Sequence, residues 1–194
     1  STVPLIAKIE KHEALEHIDG ILETVDGIMV ARGDLGLEIP QARLPAMQKM
    51  MIAKANRLGK PVITATQLLR SMVESPLPTR AEATDVANAV LDGTDAVMLS
   101  EETAIGRHPL DAVRVMHRNA VEAEKLLAPR TGGAGAEVAD LIAEAACAMA
   151  ERVGARATVV PTRSGLTARQ VPRHRPRMPI FALMPEEVVR RRLS

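Results

Sequence analysis

Short apolar runs alternate with longer stretches of helical spacing along the first two thirds of the chain. Residues 6–10, 28–31, 62–66 and 96–99 are near-continuously apolar and read as buried strands. Between them, Leu15, Ile18, Ile21 and Leu22 predict a helix over 12–24. Leu44, Met47, Met50 and Met51 predict another from Pro40 to about Leu58, which Gly59 stops. A short helix is expected over 67–73. Thr79, with Glu82 three residues on, reads as a capping box opening a helix that Gly93 ends. A turn is expected at Gly33 and Gly36, and a long amphipathic helix over 109–127.

This order predicts parallel strands covered by helices: an α/β fold amounting to four βα units, half of a TIM (β/α)8 barrel with two open edges, which the family resemblance given below makes the second half. Residues 1–127 form that half. Residues 128–135, rich in Gly, Ala and Pro, read as a linker. Residues 136–194 read as a second, small α/β unit, which the resemblance given below makes a partial C-terminal α/β domain, with helices at 136–153, 167–171 and 185–193 and strands at 157–161 and 179–183.

Each apolar run of the first half ends on a polar group. Lys8 and Glu10 close the first, Asp34 the second, Thr66 the third, and Ser100 with Glu102 the fourth. Polar groups at the same end of successive strands are how a βα barrel assembles a site. Lys8 and Glu10, two apart on a strand, share one face. Glu10 and Asp34 are two hard oxygen ligands suited to Mg²⁺ or Mn²⁺. The Gly33 and Asp34 amides can donate to an anion, and Lys8 can neutralise charge on a phosphoryl group or enolate. Thr66 can bind a carboxylate or relay a proton.

Each residue alone also has a structural reading. Lys8 and Glu10 fit a plain ion pair, Asp34 a turn, Thr66 a β-favouring position, and Ser100 and Glu102 either caps or a proton-delivery network. The convergence of four strand ends favours the site. In the second part, Thr162, Arg163, Ser164, Gly165 and Thr167 lie between a strand and a helix, as in a phosphate site or an ordinary hydroxyl-rich cap.

Composition narrows the classes. The 194 residues carry a formal charge of +1, which gives no electrostatic case for nucleic acid or an anionic membrane. No apolar run reaches the ~20 residues of a membrane span, and no signal peptide opens the sequence. One cysteine, Cys147, in Ala-rich sequence, reads as a core residue in a reducing cytoplasm. One aromatic, Phe181, against ten Met leaves the core to aliphatic residues and Met. His12, His17, His108, His117 and His174 show no metal-ligand spacing and are expected on the surface.

The segments Ile6-Ala7-Lys8-Ile9-Glu10, Met29-Val30-Ala31-Arg32-Gly33-Asp34-Leu35-Gly36, Lys60-Pro61-Val62-Ile63-Thr64-Ala65-Thr66-Gln67, Pro78-Thr79-Arg80-Ala81-Glu82 and 85–93 resemble pyruvate kinase over nearly the whole chain. The resemblance implies a phosphotransferase of glycolysis, moving a phosphoryl group from phosphoenolpyruvate to ADP. It implies Glu10 and Asp34 as metal ligands and Lys8 as the stabiliser of phosphoryl group and enolate. It also implies Gly33, Asp34 and Thr66 around phosphoenolpyruvate, with Ser100 and Glu102 near the proton route. Thr162, Arg163, Ser164, Gly165 and Thr167 match a loop that binds a sugar-phosphate effector in many members. K⁺, a cytoplasmic location and a homotetramer follow from the same resemblance.

The family's K⁺ ligands, first four barrel strands and lid lie in segments this sequence does not contain, so the chain alone is expected to be inactive. Glu101 stands where the family usually has Gly, and Leu166 where many members carry a polar residue. Two other readings stand beside this one: a non-catalytic module or relic pairing with a separate N-terminal half, and a metal-dependent pyruvate aldolase-like barrel.

Overall fold

A computed structural model of the chain describes residues 3–128 and 138–193, which fall into two units. The first comprises 3–56 and 60–126, the second 57–59 with 127–128 and 138–193. The proposed linker, apart from Ala128, lies outside the described residues, as does the start of the expected helix at 136.

In the first unit, β1 (Ile6–Ile9), β2 (Gly27–Ala31), β3 (Val62–Ala65) and β4 (Ala96–Met98) form one parallel sheet in sequence order. Ile6 lies opposite Gly27, Ile28 opposite Val62 and Ile63 opposite Ala96. The two central strands are buried almost throughout, whereas Ile6 of β1 and Met98 of β4 remain 48% and 37% exposed at the edges. Residues Ile9, Leu22, Ile28, Leu35, Met51 and Ile52 centre one core cluster, and Leu68, Leu69, Met72, Val86 and Met116 a second. Methionine and branched aliphatics fill these cores, as an aromatic-poor composition requires.

Helices cover the connections. α1 (His12–Glu16) and α2 (Ile18–Thr24) replace the single helix expected there, because His17 leaves helical geometry at φ −108°, ψ 16°. The Gly33–Gly36 turn is instead a helix, α3 (Arg32–Glu38), entered directly from β2 with Leu35 buried beneath it. Here the apolar anchor overrides two glycines. α4 (Leu44–Arg57) begins after a 3-10 turn at Gln41–Arg43. Of the helix expected over 67–73, only a 3-10 turn at Arg70–Val73 forms.

α5 (Arg80–Asp92) has the predicted capping box. The Thr79 hydroxyl accepts from the Glu82 amide at 3.2 Å, and Glu82 accepts from the Thr79 amide at 2.8 Å. Glu82 also accepts from the Ser71 amide at 2.6 Å, tying the 3-10 turn to the helix start. Gly93 ends α5 at φ +97°, a conformation that favours glycine. α6 (Glu101–Ala104), which the sequence reading did not anticipate, and α7 (Pro109–Glu124) complete the unit.

The second unit holds α8 (Val138–Arg152), β5 (Thr158–Pro161), α9 (Leu166–Gln170), a 3-10 turn at Val171–His174, β6 (Ile180–Leu183) and α10 (Glu187–Leu193). β5 and β6 pair in parallel. Cys147 packs with Ala143, Val160, Ala168 and Val171, and burial pushes its thiol up, so it is inert core. His174 corrects the expectation of surface histidines. It is 4% exposed, beside buried Asp140, whose carboxylate accepts from Arg173 at 3.0 Å. A preceding α9 that buries Ala168 and Gln170 draws the turn inward. No helix among the described residues is long and apolar enough to cross a membrane.

Candidate functional site

β1 (Ile6–Ile9) carries Lys8 one residue before its end and Glu10 just beyond it. The Lys8 ammonium pairs with the Glu10 carboxylate and lies 3.2 Å from Asp34 Oδ2, so two carboxylates from neighbouring strand ends converge on one cation. Hydrogen bonds to Glu10 and then to Asp34 raise the Lys8 pKa above its ordinary 10.5. These three side chains, with Lys11, Leu37 and Glu38, line a cleft of about 370 Å³. Glu10 is 34% and Asp34 60% exposed, which leaves an open side for water and substrate oxygens.

A divalent cation fits this donor set. Two hard oxygens already meet at one positive centre, and neither is enclosed. Asp34 owes its place to α3 starting directly off β2, which also leaves the first-turn amides without intrahelical acceptors.

Thr66 follows β3 in the left-handed region, at φ +76°, and Gln67 repeats it at +57°. Such backbone is strained for a β-branched residue. Gly33 faces Thr66 so closely that an added Cβ would lie 2.6 Å from the threonine methyl. Gly33 is therefore a close-approach glycine, and Thr66 sits against the start of the helix bearing Asp34. Arg32 donates from Nε and Nη2 to the Thr66 carbonyl at 3.2 and 2.9 Å.

Ser100 and Glu102 are not brought to the Lys8 cluster in the same way. Glu102 is 1% exposed, and its two oxygens accept from the Leu69 amide at 3.0 Å and the Ser100 amide at 2.8 Å. It therefore links the loops after β3 and β4. Ser100 occupies the N-cap position of α6 without a side-chain capping bond. Glu101 pairs with Arg70, an exposed contact between the same two loops.

Around the rim, Glu38 accepts from Lys11 at 2.5 Å and lies 3.5 Å from His12 Nδ1, and both partners hold its carboxyl below the ordinary value. His12, Glu13 and Glu38 bring ligand-type atoms within 4.8 Å of one another, a grouping that linear spacing did not reveal. His12 and Glu13 are exposed, Glu38 is half-buried, and Lys11 holds one of the Glu38 oxygens.

In the second unit, the Thr162 hydroxyl accepts from the Gly165 amide at 3.0 Å, and the Ser164 hydroxyl from the Leu166 amide at 3.4 Å. Gly165 adopts φ +84°, and Arg163 and Thr167 are exposed. These hydroxyls close their own turn. The residue that sequence reasoning passed over is Arg32. The signal was an arginine directly after a buried apolar run, where a charge demands partners.

A parallel βα sheet gathers a lysine, two carboxylates and a helix start at one end, the arrangement of strand ends found in a βα barrel. The model of the pyruvate kinase barrel domain matches residues 1–113, and that of the pyruvate kinase alpha/beta domain matches residues 140–194. The chain belongs to the pyruvate kinase family.

It is 52% identical to pyruvate kinase 2 of Synechocystis over 100% of its own length and 33% of that protein. It is 49% identical to pyruvate kinase of Clostridium acetobutylicum over 99% of its length and 42% of that protein. A crystal structure of a pyruvate kinase from Cryptosporidium parvum superposes with a TM-score of 0.89 at 45% identity, covering 97% of this chain and 40% of that one. The chain thus spans between a third and about two fifths of these relatives. Matches to both segments leave the aldolase alternative without support.

Proposed function

We propose that this chain is the carboxyl-side half of a pyruvate kinase barrel with the adjoining part of its C-terminal domain. On this reading residues 1–127 and 136–194 are two domains joined by 128–135. The whole protein transfers the phosphoryl group of phosphoenolpyruvate to ADP, giving ATP and the enolate of pyruvate, whose C3 carbon then takes a proton. The observation that carries this reading is the convergence of Lys8, Glu10 and Asp34 at one cleft.

Each residue's part follows from charge and position. Glu10 and Asp34 would hold Mg²⁺ or Mn²⁺, which when bound supplies positive charge to the phosphoryl and enolate oxygens. Lys8, kept protonated by its carboxylate neighbours, neutralises charge on the transferred group. Gly33 and Asp34 present amides to the substrate's anionic end. Thr66 supplies a hydroxyl to the substrate and to proton delivery, and Ser100 and Glu102 support that route.

K⁺, a cytoplasmic location, a homotetramer and a sugar-phosphate effector at Thr162 to Thr167 are expectations of the same reading. The exposed strands at both sheet edges favour one addition: this half can pair with a separately supplied N-terminal half.

The test is an assay with Mg²⁺, K⁺, ADP and phosphoenolpyruvate. The chain alone is expected to make no pyruvate above background, whereas the full-length protein makes pyruvate and loses it in Glu10→Gln. Full turnover retained in full-length Glu10→Gln contradicts the reading.

A further inference from the structure

Two successive non-glycine residues, Thr66 and Gln67, hold left-handed backbone at the end of β3, and a conformation of that kind persists only when its surroundings impose it. Two buried charged side chains grip the segment. Glu102 takes the Leu69 amide on the downstream side. Arg32, 8% exposed, grips the strained residue itself, with both Nε and Nη2 on the Thr66 carbonyl.

Arg32 is in turn fixed. Its Nη1 donates to Asp85 Oδ1 at 2.7 Å and reaches Gln48 Oε1 at 3.4 Å, while its Nη2 lies 2.6 Å from Asp85 Oδ2. Asp85 belongs to α5, so the grip is braced against a helix remote from the cleft. Arg32 contacts no cleft-lining residue through these bonds, and its carbonyl partner is the residue that Gly33 leaves room for.

We infer that Arg32, anchored by Asp85, is a positioning residue that acts on the reaction through Thr66. It holds the Thr66 carbonyl so that the left-handed turn presents the threonine side chain to Gly33, in the first turn of the helix that bears Asp34. The fork matters: a guanidinium can bond a carbonyl and a carboxylate at once in fixed geometry, and an ammonium cannot. The inference rests on the proposed pyruvate kinase reading, in which Thr66 serves substrate and proton delivery.

The test uses the full-length protein proposed above, following pyruvate formation together with solvent deuterium entering the pyruvate methyl group. Arg32→Lys and Asp85→Asn are expected to lower kcat by about 10–100-fold, the scale of a misplaced reacting group. KM for ADP is expected to stay unchanged, because Arg32 touches Thr66 and not the cleft. Adding Gln67→Gly to Arg32→Lys removes part of the backbone strain and is expected to restore part of the loss.

Wild-type kcat in Arg32→Lys overturns the inference, as does a loss that raises KM for ADP equally and is not relieved by Gln67→Gly. If Arg32→Lys does not fold, Asp85→Asn decides the question alone, since its side chain is one-third exposed. If the wild-type protein makes no pyruvate, the functional reading has failed. The crystal structure of Asp85→Asn then tests the clamp by itself: Thr66 leaving the left-handed region supports it, and an unchanged φ contradicts it.

Discussion

The strand ends of the two units are made of the same parts and use them differently. At the ends of β1 and β2, charged side chains from the strand ends and from the start of α3 line a common cleft, with Gly33 and Thr66 packed together beside Asp34. At the end of β5, a glycine, hydroxyls and the start of α9 also meet, but each hydroxyl accepts from an amide of its own turn. Polar groups satisfied within four residues stabilise a loop. Polar groups brought together from separate strands, across 26 residues for Lys8 and Asp34, cannot be explained by local capping and leave an open side for a ligand.

The largest effect that sharpens this contrast is at Lys8. Lys8→Ala in the full-length protein is expected to lower kcat on the order of 10²–10³-fold, the scale of losing one electrostatic stabiliser. Thr162→Ala together with Ser164→Ala, assayed without any sugar phosphate, is expected to leave kcat near wild type. Steady-state kinetics on both proteins checks the pair. Because Glu10 and Asp34 raise the Lys8 pKa above 10.5, any fall in activity at lower pH must come from another group.

Next come the two glycines. Gly33→Ala drives a Cβ to 2.6 Å from Thr66 and is expected to cost about 1–3 kcal/mol of stability, with Thr66 displaced and activity lost. Gly165→Ala meets side-chain atoms only at 3.2 Å but must hold φ +84°, so about 1–2 kcal/mol is expected, without loss of catalysis. Denaturant unfolding with a parallel activity assay separates the two.

Glu82 gives a smaller, pH-dependent effect. Burial pushes its carboxyl up, but hydrogen bonds from Ser71 and Thr79 outweigh that and hold the pKa below 4.5. A depressed carboxyl stabilises the fold fully above its unfolded value and loses that contribution as pH falls through the lower folded one. Glu82→Gln is expected to cost about 1 kcal/mol at neutral pH. The difference from wild type should shrink below pH 4.5, as thermal unfolding across pH can show.

The smallest effect is expected for the exposed Arg70–Glu101 pair. Breaking it with Glu101→Gln should change stability by about 0–1 kcal/mol, less in high salt. A larger cost would make the loop contact part of the site.

Much of this was legible in the chain because apolar periodicity and strand-end polarity are local. Lys8, Glu10 and Asp34 could be read as one group from the alternation of strands and helices, and the capping box at Thr79 from four letters. The helix at Arg32–Glu38 was not, because two glycines argued for a turn while Leu35, buried by tertiary packing, decided otherwise. The left-handed turn at Thr66 was also hidden. Nothing in a threonine and a glutamine announces positive φ; the clamp by Arg32 and Asp85, 53 residues apart, imposes it. His174 was misjudged for a similar reason, since its burial depends on Asp140 and a neighbouring helix rather than on its own segment.

The central claim, that Glu10 and Asp34 form one metal site beside Lys8, is tested most directly by titrating Mn²⁺ into the full-length protein and following it by electron paramagnetic resonance. Wild type is expected to bind Mn²⁺ at a site that Glu10→Gln and Asp34→Asn each weaken, by at least the 10–100-fold typical of disturbing a ligand's support, and that Glu13→Gln leaves intact. Undiminished affinity in Glu10→Gln, with loss in Glu13→Gln or His12→Ala instead, would place the ion at the rim and contradict the claim.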